Sequence, residues 1–227
     1  MRKSCSLSAV LLLCLAPCCT VVHAQTPEKQ ALLLLNHATG FSALPNGIAV
    51  EDGAAREEIT ALRDDILRVR VTDNGAMPED ASWAVLPHAL HSRVNVTPES
   101  NGTFVGFRTA SLQVQVDRST LQLTVRDLSG KVVQQDALPA RFEGTSFRVY
   151  KTMPLDEHYF GLGDKTGPLD RREEAFSLWN TDAYRFQEST DPLYKAIPFF
   201  MTYRAGLAAG IFLDNTWRTS LDRKSVV

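Results

Sequence analysis

The sequence predicts an all-β chain, an antiparallel sandwich or barrel, behind a removable signal segment. Three observations carry that expectation. Hydrophobicity alternates with a period of two over most of the chain after residue 24, Asn-Gly and Asp-Gly pairs recur at short intervals, and no repeat or low-complexity tract interrupts the pattern. Alternation of this kind sets one face of each strand against a core and leaves the other in water.

Residues 1–24 read as a secretory signal peptide, with Arg2 and Lys3 ahead of the apolar run Leu7 to Ala16, and Val22-His23-Ala24 ahead of Gln25. The apolar core is about ten residues, well short of the roughly 20 that span a bilayer. Cleavage is expected after Ala24, which places the mature domain, residues 25–227, in the periplasm or outside the cell. A lipid anchor at Cys18 or Cys19 is the minor alternative, because Pro17 stands where a small residue would precede a lipidated Cys18. All 4 cysteines, Cys5, Cys14, Cys18 and Cys19, lie inside this segment. The mature chain therefore has no thiol for catalysis or metal binding, and its own hydrophobic core must hold it together.

The whole chain has 24 Lys and Arg against 26 Asp and Glu, and loss of Arg2 and Lys3 leaves 22 against 26, a net charge of −4. Both signs are interspersed, which argues against a nucleic-acid partner. Ala31 to Leu35 is the longest pure aliphatic run after the signal segment, so it reads as a short packing segment and no membrane span is expected in the mature chain.

Along the chain, Ile66-Leu67-Arg68-Val69-Arg70-Val71 alternates after the turn-like Arg63-Asp64-Asp65, with Ile59 and Leu62 before it, and predicts a hairpin. Ala54 to Glu58 tolerates a helix but has poor apolar spacing next to Gly53, and is expected to be a short turn or loop. Leu112, Val114 and Val116, then Leu121, Leu123 and Val125 across Asp117-Arg118-Ser119, predict two strands; Lys131-Val132-Val133 after Ser129-Gly130 begins a third. Asn46-Gly47, Asp52-Gly53, Asn74-Gly75 and Asn101-Gly102 are turn pairs, because Gly and Asn accept positive φ. From Tyr150 the texture changes to crowded Gly, Pro, aromatic and charged residues, which reads as loop. Aromatic and ionic side chains together suit a surface that meets a polar ligand or another domain. Ile197 to Tyr203 and Ala208 to Leu213 then read as buried strands around Arg204-Ala205-Gly206.

Several motifs in this second half resemble glycoside hydrolase family 31, the α-glucosidase and α-xylosidase group. They are Gly161-Leu162-Gly163-Asp164, Leu169-Asp170-Arg171-Arg172, Trp179-Asn180-Thr181-Asp182, Asp191-Pro192-Leu193-Tyr194-Lys195, Ile197-Pro198-Phe199-Phe200 and Gly210 to Thr216. The similarity runs from about Glu157 to Arg218 and more weakly back to about Leu62. Asp164 departs from the family's usual Glu. The resemblance implies a galactose-mutarotase-like β-sandwich that precedes a (β/α)8 catalytic barrel, with α-linked oligosaccharides or glycosides as ligands. Asp182 would reach the substrate from a loop over the barrel mouth, accepting sugar hydroxyls without reacting, with Trp179 and Asn180 beside it. Trp179 suits core packing and a ligand platform equally, whereas Phe199, Phe200 and Phe212 are expected in the core. Asp170, Arg171 and Arg172 are expected to be an ion-pair cluster that supports the loop.

The retaining mechanism that the resemblance implies needs two carboxyl groups about 5 to 5.5 Å apart. In the family both come from the barrel, and no catalytic residue is assigned to this chain, which is expected to be an N-terminal piece of a longer enzyme and inactive alone. An open sheet edge and a bare docking face would then favour association. His37, His88, His91 and His158 lack metal-ligand spacing, so neither metal nor cofactor is expected. A free-standing carbohydrate-binding module is the alternative. A mutarotase-like epimerase ranks below it, since no histidine and carboxylate pairing can be read from the sequence.

Overall fold

The computed structural model describes residues 32–222, so the expected signal peptide and its cleavage site lie outside the described residues. The elements in chain order are β1 (Leu32–Leu34), β2 (Gly40–Leu44), β3 (Gly47–Asp52), β4 (Ala55–Arg63), β5 (Ile66–Thr72), α1 (Pro87–Leu90), β6 (Thr97–Ser100), β7 (Phe104–Arg108), β8 (Leu112–Asp117), β9 (Leu123–Asp127), β10 (Val132–Glu143), β11 (Ser146–Lys151), β12 (His158–Gly163), β13 (Ala175–Leu178), β14 (Ala196–Arg204), β15 (Leu207–Phe212) and β16 (Thr219–Asp222). Strands β2-β3-β4-β5 form one antiparallel sheet. A larger one runs β1-β10-β9-β8-β7-β6, with β11 on the C-terminal part of β10.

These two sheets are the expected sandwich. Ile48 and Val50 of β3 and Ala55, Ile59 and Ala61 of β4 meet Phe107 of β7, Val114 and Val116 of β8, and Leu123 and Val125 of β9 in one buried cluster. Full burial of each large apolar side chain contributes about 1.5–3 kcal/mol, which is how a domain without disulfides is held. The β4–β5 hairpin and the β8–β9–β10 meander occur where alternation placed them. In the β8–β9 turn one carboxylate oxygen of Asp117 accepts hydrogen bonds from the backbone and hydroxyl groups of both Ser119 and Thr120. Strand β10 changes register between Leu138 and Arg141, around Pro139, which has no N–H to give to a ladder.

Residue 54 lies in a turn, but residues 55–58 are strand: Ala55 opens β4, in which Ala55, Glu57, Ile59 and Ala61 all point inward. The alternation was hidden because a glutamate occupies one of the four inward positions. Two further sheets follow. Strands β12-β14-β15 form one and β13-β16 the other, and a second core of Tyr159, Leu162, Phe176, Leu178 and Phe200 lies between them. The region after Tyr150 is thus partly strand, since Tyr159 to Gly163 belong to β12.

The outer face of β12-β14-β15 is not buried. Ile197, Phe199, Met201 and Tyr203 alternate along β14 on that face; Phe212 lies opposite Phe199, and Phe160 opposite Met201. Phe200 is in the core as expected, but Phe199 and Phe212 are exposed. The unbroken apolar run from Ala196 to Met201 in β14 conceals which of its two faces is covered.

Glu57 is a buried carboxyl with no hydrogen-bond partner among the described residues. Burial, and secondarily the Asp136 carboxylate, push it up to about 7, against an opposing pull from Lys151. A raised carboxyl favours the fold while it stays protonated, so this contribution is complete below the ordinary glutamate range and disappears as pH rises through about 7. In unfolding of the full chain, Glu57→Gln is expected to leave stability near pH 4 almost unchanged. At pH 8 it should raise stability by about 1–3 kcal/mol. Equal effects at both pH values would show that Glu57 does not ionise in this range.

Candidate functional site

Two long connections, 164–174 and 179–195, leave the second pair of sheets at the ends of β12 and β13 and carry the expected site residues. Their backbone has little ladder of its own, and polar side chains take its place. The path begins at a kink in β12. Gly161, Leu162 and Gly163 all have positive φ (118°, 76° and 81°), and the register with β14 shifts there. A Cβ on Gly163 would stand 2.3 Å from the carbonyl oxygen of Lys195, so only glycine lets the chain pass this close. Asp164 N–H then donates to that carbonyl at 2.8 Å, which ties the start of the first connection to the end of the second.

Lys165 lies next to this junction, and its side chain is only 1% exposed. Its ammonium donates to the Ser177 carbonyl at 2.6 Å and to Asp191 Oδ1 at 2.5 Å, while Asp191 Oδ2 accepts from Ser177 N–H. Buried Arg171 donates to the carbonyls of Thr166 and Pro168, each at 2.7 Å, and of Lys165 at 3.2 Å. Arg172 donates to the carbonyls of Pro154 and Glu157, each at 2.7 Å. Both arginines serve backbone oxygens, not the ion-pair cluster expected with Asp170. A guanidinium presents several fixed donors, which suits it to carbonyls left over by a loop.

Asp170 accepts instead from the N–H groups of Tyr159 and Arg172, and its other oxygen lies 2.6 Å from His158 Nδ1. Burial tends to raise its carboxyl, but the Tyr159 N–H, His158 and the Arg172 N–H outweigh burial and hold it below the usual aspartate range. This His158–Asp170 pair was not legible in the sequence. It lies on the exposed sheet face beside Phe160 and caps backbone at the same time, so it does not form the enclosed acid and base pair an epimerase would require.

The second connection is braced from within. Asn180 Oδ1 accepts from Ala196 N–H at 2.8 Å, Thr181 N–H donates to the Leu193 carbonyl, and Tyr194 OH donates to the Ala183 carbonyl. Leu193 is buried as the anchor, and the Phe186 and Tyr194 rings meet edge to face at 6.1 Å. Trp179, Asp182, Tyr184 and Phe186 are thereby held on the surface. Asp182 has no hydrogen-bond or ion-pair partner among the described residues. Two depressions in the surface, of about 350 and 220 Å³, are lined by Arg63, Asp64 and Asp65 and by Gln134, Glu157 and Arg204. Neither is lined by this connection, whose exposed side chains form a rim. Among the described residues no group of His, Cys, Asp and Glu is arranged to hold a metal ion.

A family model described as the glycosyl hydrolase 31 N-terminal galactose mutarotase-like domain matches residues 57–222. The chain belongs to glycoside hydrolase family 31, of which it is the N-terminal domain. It is 33% identical over 171 residues to alpha-glucosidase 2 of Bacillus thermoamyloliquefaciens, which covers 73% of this chain and 21% of that protein. An alpha-glucosidase of Saccharolobus solfataricus is 33% identical over 94 residues, 41% of this chain and 14% of the relative. Among solved structures, a family 31 dextranase of Flavobacterium johnsoniae complexed with isomaltotriose superimposes with a TM-score of 0.78 at 28% identity, over 86% of this chain and 24% of that one. The chain thus spans about a seventh to a quarter of the length of these larger proteins.

The structure places Trp179, Asn180 and Asp182 together on one connection, and Asp170, Arg171 and Arg172 together on the other. Lys165, which joins the two, was not singled out, because a lone lysine in a charged loop gives no sign of burial. Replacing it by methionine would leave the Ser177 carbonyl and Asp191 without their shared donor. Breaking a fully buried ion pair costs about 3–5 kcal/mol, and the partial hydration of Asp191 brings the expected loss for Lys165→Met to about 2–3 kcal/mol. Denaturant unfolding of the full chain measures it; a loss under about 0.5 kcal/mol would show that solvent can replace the lysine.

Proposed function

We propose that this chain is the substrate-shaping N-terminal part of an exported retaining α-glycosidase. The observation that carries the proposal is Asp182: an exposed, unpartnered carboxylate held between Trp179 and Tyr184 on a connection braced at both ends. A folded protein gains nothing from stiffening a loop around a free carboxylate unless something else binds it. A sugar supplies hydroxyl donors for the carboxylate and an apolar ring face for the aromatics.

In this reading the catalytic carboxyl pair belongs to a (β/α)8 barrel outside the present chain, and Asp182 reaches over the barrel mouth to orient the substrate. The alpha-glucosidase relatives and the dextranase make α-linked glucosides the first substrates to test. The exposed face of β12-β14-β15, with Phe160, Phe199, Met201 and Phe212, is the surface on which such a barrel would dock. The N-terminal segment would direct export to the periplasm or the outside.

The test is hydrolysis of p-nitrophenyl α-glucoside and α-xyloside by the chain alone and by the reading frame continued past Val227. Activity is expected only in the longer product. There, Asp182→Ala should lower kcat/KM roughly 10- to 100-fold, the value of a lost hydrogen bond to a charged group, at about 1.5–3 kcal/mol. Thermal stability should not change, because Asp182 has no partner to lose. Turnover by the short chain would overturn the proposal, as would an Asp182→Ala enzyme with unaltered kcat/KM.

A further inference from the structure

The chain contains 3 tryptophans, Trp83, Trp179 and Trp217, separated by as much as half the sequence. All are on the surface, at 96%, 48% and 82% exposure. The fold brings Trp179 and Trp217 to one end of the β13–β16 sheet and ties the segment that carries Trp83 to the connection leading there. The pair Leu178↔Thr219 is the last rung of that ladder, so Trp179 leaves β13 where Trp217 and Arg218 lead into β16. Trp83 is brought to the same segment by a hydrogen bond across 132 residues, from Ser82 Oγ to Asp214 Oδ1 at 2.7 Å.

Each of these tryptophans is held locally. Ser82 Oγ also accepts from the N–H groups of Ala84 and Val85, and Asn215 Oδ1 accepts from the N–H of Trp217. The loop that carries Trp83 is pinned to β5 by the Arg68–Asp80 ion pair at 2.6 Å and by Arg70 donating to the Pro78 carbonyl. An indole left almost wholly in water forfeits the burial its ring would gain, and single exposed tryptophans need no explanation. Three on joined segments do.

We infer that Trp83 and Trp217 extend the rim begun by Trp179 and Asp182 into a stacking surface for further rings of an oligosaccharide. Exposed polar side chains interleave with the indoles here, Asp182 beside Trp179, and Asp214 and Asn215 beside Trp217. That mixture suits a pyranose chain, with ring faces on indoles and hydroxyls on amides and carboxylates. A protein interface core would instead be depleted of charge. The inference rests on the proposed sugar-binding rim and adds its length: ligands of several units are bound better than single ones.

Because every tryptophan of the chain lies on these joined segments, intrinsic fluorescence reports on them directly. The full chain is titrated with glucose, isomaltose, isomaltotriose and longer linear α-glucans, alongside Trp83→Ala, Trp217→Ala, Ser82→Ala and Asp182→Ala. Affinity should rise with length. Trp83→Ala and Trp217→Ala should each weaken the longer ligands about three- to tenfold while sparing the disaccharide. Ser82→Ala, which keeps the indole but frees its segment, should weaken them in the same length-dependent way. Binding that depends on Asp182 but is indifferent to Trp83 and Trp217 would overturn the extension and leave the rim standing. Length-dependent loss in the tryptophan variants with no effect of Asp182→Ala would keep the stacking surface and remove the carboxylate from it. No response to any saccharide, with fluorescence changing only as the chain associates with itself, would mark this end as a protein interface and overturn the inference.

Discussion

The arrangement of the second half depends on one buried cation. Lys165 is enclosed almost completely, and its ammonium joins the carbonyl at Ser177, at the centre of β13, to Asp191, at the end of the second connection. Asp191 returns the contact through the Ser177 N–H. Three segments that are distant in sequence thus meet at one charge. An ammonium is costly to strip of water unless each of its protons finds an acceptor, so its position specifies where those acceptors must be. The arginines that follow extend the same solution, supplying donors to carbonyls for which no ladder exists.

The two cores have different degrees of independence. The first is a conventional sandwich in which alternating apolar positions of facing sheets interlock, interrupted at β4 by the carboxyl of Glu57. The second is smaller and relies on Leu162, a fully buried residue at φ 76°, between two glycines that also take positive φ. A leucine held there costs of order 1–3 kcal/mol, which its burial offsets. The kink that this produces turns the chain out of β12 into the connection bearing Lys165, so backbone strain and site placement have the same origin.

Legibility in the sequence followed the physics of each half. The first half was readable because one face of each strand is wet and the other dry, which prints a period of two into Ile66 to Val71 and Leu112 to Val125. It failed at Glu57, where the inward residue carries a carboxyl. In the second half the motifs around Trp179 to Asp182 and Asp191 to Lys195 marked the family and the position of the rim. The means of holding that rim were not legible. Bonds from Lys165, Arg171 and Arg172 to backbone carbonyls have no sequence signature, since any residue can supply a carbonyl. The exposure of Phe199 and Phe212 was hidden for another reason: β14 is apolar on both faces, and hydropathy alone cannot tell a face covered within the chain from one left open.

That open face and the tryptophan end pose different physical problems. Phe160, Phe199, Met201, Tyr203 and Phe212 form a flat patch across three neighbouring strands, with Phe199 lying over Gly210, whose missing side chain makes room for the ring. Charged groups are sparse on it, and a surface of that kind gains most from contact with another apolar surface, because exclusion of water is its main resource. Trp179 and Trp217 have exposed polar neighbours, and the three tryptophans stand on separate segments. Burying them against a flat partner would strand the unpartnered Asp182 carboxylate away from water, at a penalty of about 1–3 kcal/mol. A ligand that carries its own hydroxyls avoids that penalty. The same chain thus presents one surface suited to a protein and one suited to a saccharide, and what separates them is where its polar side chains fall among its aromatic ones.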